Sequence, residues 1–207
     1  LYLAQGLAPI PLPPRAKNPG YQGWSDLRLT ANTLDAHFPT AEARNIGVLN
    51  GEPSGNVADV DLDCAEARSL APLLLPATGW VFGRPSAPAS HWVYRTDTPL
   101  DTAQQEFTDL DGKMLVELRG SGGLTVYPPS THLETGEAIE WELFTSPADV
   151  ALADLQHATA ELAAASLLAR HWPVKGTRDK AAMALSGALL RAGWPAEKVS
   201  HFVESVA

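Results

Sequence analysis

At 207 residues, 45% of them hydrophobic, the chain can bury a substantial core, as one domain or as one domain with a small appendage. No apolar run is long enough to cross a bilayer and no basic-then-apolar secretion signal opens the chain, so a cytoplasmic protein without a membrane role is expected. A formal charge of −9 excludes a uniformly basic nucleic-acid coat, so any anionic partner has to be held locally, and a single cysteine excludes an internal disulfide or a Cys-rich zinc site.

In chain order, Gly6 to Leu12 carries Pro9 and Pro11 and suits an edge strand or an extended segment. A Pro/Gly-rich loop runs on to Trp24; Lys17 on it is a solvated lysine, or a phosphate contact where the loop folds over a pocket. Thr30 or Asn32 can cap a short helix bearing Leu34, His37 and Phe38. Asn45 to Gly51 reads as a strand ending in a turn, and Ser54-Gly55-Asn56 as a hairpin-like connection into the next strand.

That next strand, Val57-Ala58-Asp59-Val60-Asp61-Leu62-Asp63, is the stretch around which the chain is organised. Extended backbone puts Asp59, Asp61 and Asp63 on one face and Ala58, Val60 and Leu62 on the other. Carboxylates roughly 6.5 Å apart repel one another unless a cation or a ring of donors compensates them, and a divalent metal is the economical compensation. The plainer alternative is a solvated strand end. Asp63-x-x-Glu66 also reads as the cap and capping-box glutamate of a helix that Pro72 and Pro76 break near Leu70, with Cys64 a small buried residue at the junction.

Gly79 to Gly83 reads as a strand, and a small-residue loop from Arg84 leads into another that sets His91, Val93 and Arg95 on one face and Trp92 and Tyr94 on the other. Arg84, Ser86, Ser90, His91 and Arg95 offer donors suited to phosphate oxygens, with no acidic residue between Gly79 and Tyr94. Met114 to Arg119 alternates again, placing Glu117 beside Arg119, at minimum as a same-face ion pair. Gly120-Ser121-Gly122-Gly123 is a turn without the lysine and helix of a P-loop, Leu124 to Tyr127 a returning strand closed by Pro128-Pro129, and Ile139 to Glu142 a last short strand. From Ser146-Pro147-Ala148-Asp149, read as a cap with proline at the first helical position, the chain turns helical. Stripes through Leu155 and Leu162, through Leu185 and Leu189, and through Val199, Phe202 and Val206 predict about three helices, carrying a basic excess between Arg170 and Lys198. The expected division is a catalytic unit over 1–145 and a helical unit over 146–207, within a piece of a longer protein.

The joint order of these features, from Lys17 and Gly23-Trp24 through Asn45-Ile46-Gly47-Val48, Ser54-Gly55, the Asp-x-Asp strand, Ser90-His91, Glu117-x-Arg119 and Val126-Tyr127-Pro128-Pro129-Ser130, resembles the N-terminal domain of bifunctional DNA primase-polymerases. These Prim-Pol proteins belong to the archaeo-eukaryotic primase superfamily and are typical of phages and plasmids. The resemblance implies an α+β fold with a mixed or antiparallel sheet and flanking helices, followed by a small all-helical unit and often by a helicase domain. It implies template-directed transfer from NTPs or dNTPs on single-stranded DNA, with Mg²⁺ or Mn²⁺ held by two strand carboxylates and a third from a later strand. Carried onto this chain, the metal pair falls within Asp59, Asp61 and Asp63, the third carboxylate is Glu117, and His91 contacts the incoming nucleotide. Lys17, Arg84, Ser86, Ser90 and Arg119 are the further candidates for its phosphates. Counting back from the helix near Ala65 favours Asp61 and Asp63, whereas counting forward from Ser54-Gly55 falls between the choices; Asp61 belongs to both pairs. Ala89-Ser90 stands where the family often has two glycines. A metal-dependent nuclease and a non-catalytic replication-initiator module remain the alternatives.

Overall fold

The computed structural model describes residues 1–207. In chain order its elements are β1 (Pro9–Leu12), α1 (Leu34–His37), β2 (Asn45–Leu49), β3 (Val57–Leu62), α2 (Ala65–Leu74), β4 (Trp80–Arg84), β5 (Ala87–Thr96), β6 (Gln104–Thr108), β7 (Met114–Arg119), β8 (Leu124–Tyr127), β9 (Ser130–Thr131), β10 (Ala138–Phe144), β11 (Ala148–Val150), α3 (Leu152–Arg170), α4 (Arg178–Arg191) and α5 (Ala196–Val206). The fold is α+β. An eight-stranded sheet runs in the order β6-β7-β3-β5-β4-β10-β9, with β11 added beside β5, and a three-stranded sheet runs β1-β2-β8. All pairings are antiparallel except β11 with β5.

Alternation in β3 explains the layering. Ala58, Val60 and Leu62 join Trp92 and Tyr94 of β5, Val116 and Leu118 of β7, and Ala67 and Leu70 of α2 in one core, which Leu155 and Leu162 of α3 and Phe202 and Val206 of α5 complete. On the opposite face Val57, Trp80, Phe82 and Val93 pack against Val48 and Tyr127 of the small sheet and against Tyr2 and Leu7. Helices, large sheet and small sheet are thus three layers, and every residue of β3 is buried, the aspartates included. Asp59 and Asp61 are not on a solvated strand edge; they lie between two sheets, where a carboxylate needs partners.

Several local expectations are corrected. β2 and β3 form no hairpin: they lie in different sheets, joined by a single bridge from Gly51 to Val57. Gly51, at φ 78° with a Ser121 backbone atom 2.8 Å from where a Cβ would sit, lets the chain change sheets there. β8 likewise does not return along β7 but crosses to pair with β2. The N-cap of α2 is Cys64, whose Sγ accepts the Ala67 N–H at 3.4 Å, so the side chain of Asp63 does no capping. α2 continues through Pro72 to Leu74, and α1 is a four-residue helix preceded by Thr33, which caps nothing with its side chain. β6 is a polar edge strand that the sequence did not announce, and β10 extends from Ala138 to Phe144.

The expected helix start at Ser146 is wrong. Ala148–Val150 is a strand because Tyr94 to Thr96 offer it a parallel ladder and Thr78 Oγ1 accepts the Ala148 N–H at 3.1 Å. The helix begins at Leu152, whose N–H is taken by Asp97 Oδ1 at 2.8 Å.

Candidate active site

Strand register builds the site. Asp61 pairs with His91 of β5 on one side and Glu117 of β7 on the other, so three chemically active side chains stand in one row across three strands. The row extends to Phe82, whose ring stacks on His91 at 4.6 Å and 17°. Asp59 pairs with Val93 and Arg119 in the next row of the same face. Asp63 lies one residue beyond the strand, held by its N–H to the Leu115 carbonyl at 3.1 Å.

Carboxylate oxygens of Asp61, Asp63 and Glu117 lie within 4.8 Å of one another. Asp59, expected among the metal ligands, stands outside this group. It is fully buried, its Oδ2 is 3.0 Å from His91 Nδ1, and it accepts the Thr125 hydroxyl at 2.7 Å. Of the three aspartates the register had left open, geometry therefore gathers Asp61 and Asp63 with Glu117.

Arg119 is the cluster's own countercharge. Its guanidinium donates to Glu117 Oε2 at 2.7 Å and contacts Asp61, so the expected same-face pair exists as part of a larger network. Burial opposes the charge on Arg119, but Asp61, Asp59 and Glu117 outweigh it and hold the group above its ordinary value. One cation does not suffice for three carboxylates. Burial, with Asp61 and Glu117 beside it, pushes the Asp63 carboxyl up to about 6. Burial also disfavours the charged forms of His91 and Asp59; for His91 the carboxylates of Asp61 and Asp59 reverse the effect and raise it, and for Asp59 the His91 ring, Arg119 and Thr125 lower it. Three hard oxygen donors, under-compensated by one arginine and with no thiolate near, fit a Mg²⁺- or Mn²⁺-type cation.

The cluster opens into a cleft of about 350 Å³ that Lys17, Arg84, Ser90 and His132 also line. A model of the bifunctional DNA primase/polymerase N-terminal domain family, Prim-Pol, matches residues 1–155. The chain belongs to the Prim-Pol family. Among curated proteins no match to the chain is found. Membership makes this a DNA primase/polymerase-type enzyme domain; such enzymes use divalent metals, and the acidic triad is a group that could hold one. No helix of the chain is long and apolar enough to cross a membrane.

The Prim-Pol cleft wall is assembled by Asn45. Its buried amide donates to the Ala16 carbonyl at 3.2 Å and the Thr131 carbonyl at 2.8 Å, and accepts the Thr131 N–H at 2.9 Å, tying the Lys17 loop to the segment after Pro129. Ser90 is buried beside the cleft and its Oγ has no hydrogen-bond partner. It follows Ala89, which adopts φ 48°, the left-handed conformation that the family's glycine would take without strain. Arg84 faces the cleft and lies 3.5 Å from Glu137; Lys17 is exposed and 3.6 Å from Glu134.

Ser86 does not reach this cleft. Its hydroxyl and N–H both go to Glu137, at the outer β4–β5 turn. His132 was not foreseen, although it stands two residues after the Tyr-Pro-Pro-Ser run. Its Nδ1 accepts the Thr135 N–H at 3.3 Å and lies 3.1 Å from the Thr135 hydroxyl, and burial with Arg84 and Lys17 nearby lowers its pKa. A neutral ring with Nδ1 accepting carries its proton on Nε2, as a donor on the cleft wall.

Proposed function

We propose that the chain is a DNA primase-polymerase that joins nucleotides from NTPs or dNTPs on a single-stranded DNA template by a two-metal mechanism, in replication of the phage or plasmid type. The observation that carries this reading is the row of Asp61, Glu117 and His91 across three paired strands, with Asp63 completing the acidic triad. Asp61, Asp63 and Glu117 would hold Mg²⁺ or Mn²⁺. Bound there, divalent ions lower the pKa of the attacking 3′-hydroxyl and neutralise the leaving pyrophosphate.

The chain's own residues do the positioning. Arg119, Arg84, Lys17, Ser90 and His132 surround the cleft with donors for the triphosphate, so that it lies in line for attack, and His91 meets the incoming nucleotide beside them. Ser86, bonded to Glu137, takes no part. Phe82 behind His91 keeps water from the far side of the ring. A helicase domain following in the full-length protein belongs to the same proposal.

The test is synthesis on single-stranded DNA with labelled nucleotides and Mg²⁺ or Mn²⁺, resolved on a denaturing gel. New chains that disappear in Asp61→Ala and His91→Ala support the proposal. Shortened template supports a nuclease, and metal-independent DNA binding without synthesis supports an initiator module; either result overturns the polymerase reading.

A further inference from the structure

We propose that Asp59 is a positioning residue rather than a metal ligand: with Thr125 and Asn50 it fixes the tautomer and ring plane of His91, so that Nε2 is the nitrogen presented to the incoming nucleotide. The inference rests on the reading above that His91 meets that nucleotide.

Hydrogen-bond directions carry it. Asn50 Nδ2 donates to Thr125 Oγ1 at 3.1 Å, which leaves the Thr125 hydroxyl proton to go to Asp59 Oδ2 at 2.7 Å. An ionised carboxylate only accepts, so His91 Nδ1, 3.0 Å from the same oxygen, has to be the N–H of the ring. Nε2 makes no protein hydrogen bond and His91 lines the cleft. Asn50, Asp59 and Thr125 are each at most 1% exposed, so no water competes for these bonds. Stacking on Phe82 supports the same ring plane from the other side.

The chain of contacts also explains why a third aspartate is tolerated between the sheets. A buried carboxylate without partners is costly, and Asp59 has two. Thr125 comes from β8 of the small sheet and His91 from β5 of the large one. Asp59 therefore links the packing of the two sheets to the orientation of one ring in the cleft.

The test uses Asp59→Asn, near-isosteric but able to donate where the carboxylate only accepts, with Thr125→Val and Thr125→Ser as a second pair. Two readouts are taken on the whole chain: the ¹⁵N signature of His91 at alkaline pH without metal, where the neutral ring reports its tautomer, and KM for the incoming nucleotide. In the wild type the proton resides on Nδ1. In Asp59→Asn it shifts toward Nε2 and KM rises about 10- to 100-fold, the scale typical of a lost orienting partner. Thr125→Val moves both readouts the same way by less, and Thr125→Ser restores them. The proposal fails if the His91 tautomer is unchanged in a folded Asp59→Asn protein, or if it changes while KM stays within about twofold. Absence of synthesis by the wild type would remove the functional reading alone, since the tautomer still decides whether Asp59 sets the ring.

Discussion

Replacing Asp63 with asparagine separates what the acidic cluster costs the fold from what it contributes to chemistry. Without metal, Asp63 shares its surroundings with Asp61 and Glu117, and its carboxyl titrates at about 6 against an ordinary value of 3.8. At about 1.4 kcal/mol for each tenfold change in protonation equilibrium, the upper bound on the cost of charging Asp63 there, burial first and the neighbouring carboxylates second, is about 3 kcal/mol. The Asp63 carboxyl is only partly enclosed and the residue keeps an exposed face, so screening reduces this to about 1 kcal/mol. Asp63→Asn in EDTA should therefore unfold later than the wild type, by roughly 2–4 °C for a chain of this size. Adding Mn²⁺ should reverse the order, because only the wild type keeps the full donor set, and the variant should lose synthesis. Thermal unfolding with and without Mn²⁺, read beside the gel assay, checks all three. An Asp63→Asn protein less stable than the wild type in EDTA, or one as active, would refute the reasoning.

Other outcomes follow from the same geometry. Because the Asp63 carboxyl is raised, the folded metal-free protein binds more protons than the unfolded chain between about pH 4 and 6, so this group makes it less stable as pH rises through that window. A metal must displace that proton, so Mn²⁺ affinity measured by titration should fall as pH is lowered through 6. Leu155→Ala and Leu162→Ala, both fully buried against the sheet, should each cost about 2–5 kcal/mol in urea unfolding. A chain cut after residue 145 loses β11 and α3 and should show no cooperative unfolding by circular dichroism; cooperative unfolding would support an independent catalytic unit over 1–145. Ala89→Gly relieves a left-handed alanine at φ 48° and, net of glycine's own entropy, should stabilise by about 0.5–1 kcal/mol.

Period-two alternation in β3, β5 and β7 was legible because each strand packs a largely apolar face into the core, and with it came the grouping of carboxylates, His91 and Arg119 on the other. What alternation cannot carry is which strands pair. Ser146-Pro147 has the local chemistry of a helix start, yet Thr78 and the edge of β5 offered its neighbours a ladder, and the distant partners prevailed. β6 escaped notice because Phe107 is the only apolar residue of an exposed edge strand. Strand alternation alone does not rank the three aspartates. They differ only in depth and partners: Thr125, from another sheet, takes Asp59, while Cys64 caps α2 and leaves Asp63 to the cluster. His132 sits in an irregular segment with no periodicity to mark it, and Asn50 and Thr125 act through other residues.

The most direct test of the account is a Mn²⁺ titration followed by electron paramagnetic resonance on the wild type, Asp59→Asn, Asp61→Asn and Glu117→Gln. Asp61→Asn and Glu117→Gln should weaken Mn²⁺ binding by at least about tenfold while Asp59→Asn leaves it within about threefold. Loss of binding in Asp59→Asn with retention in Glu117→Gln would contradict it, and would move the metal to the buried end of the strand.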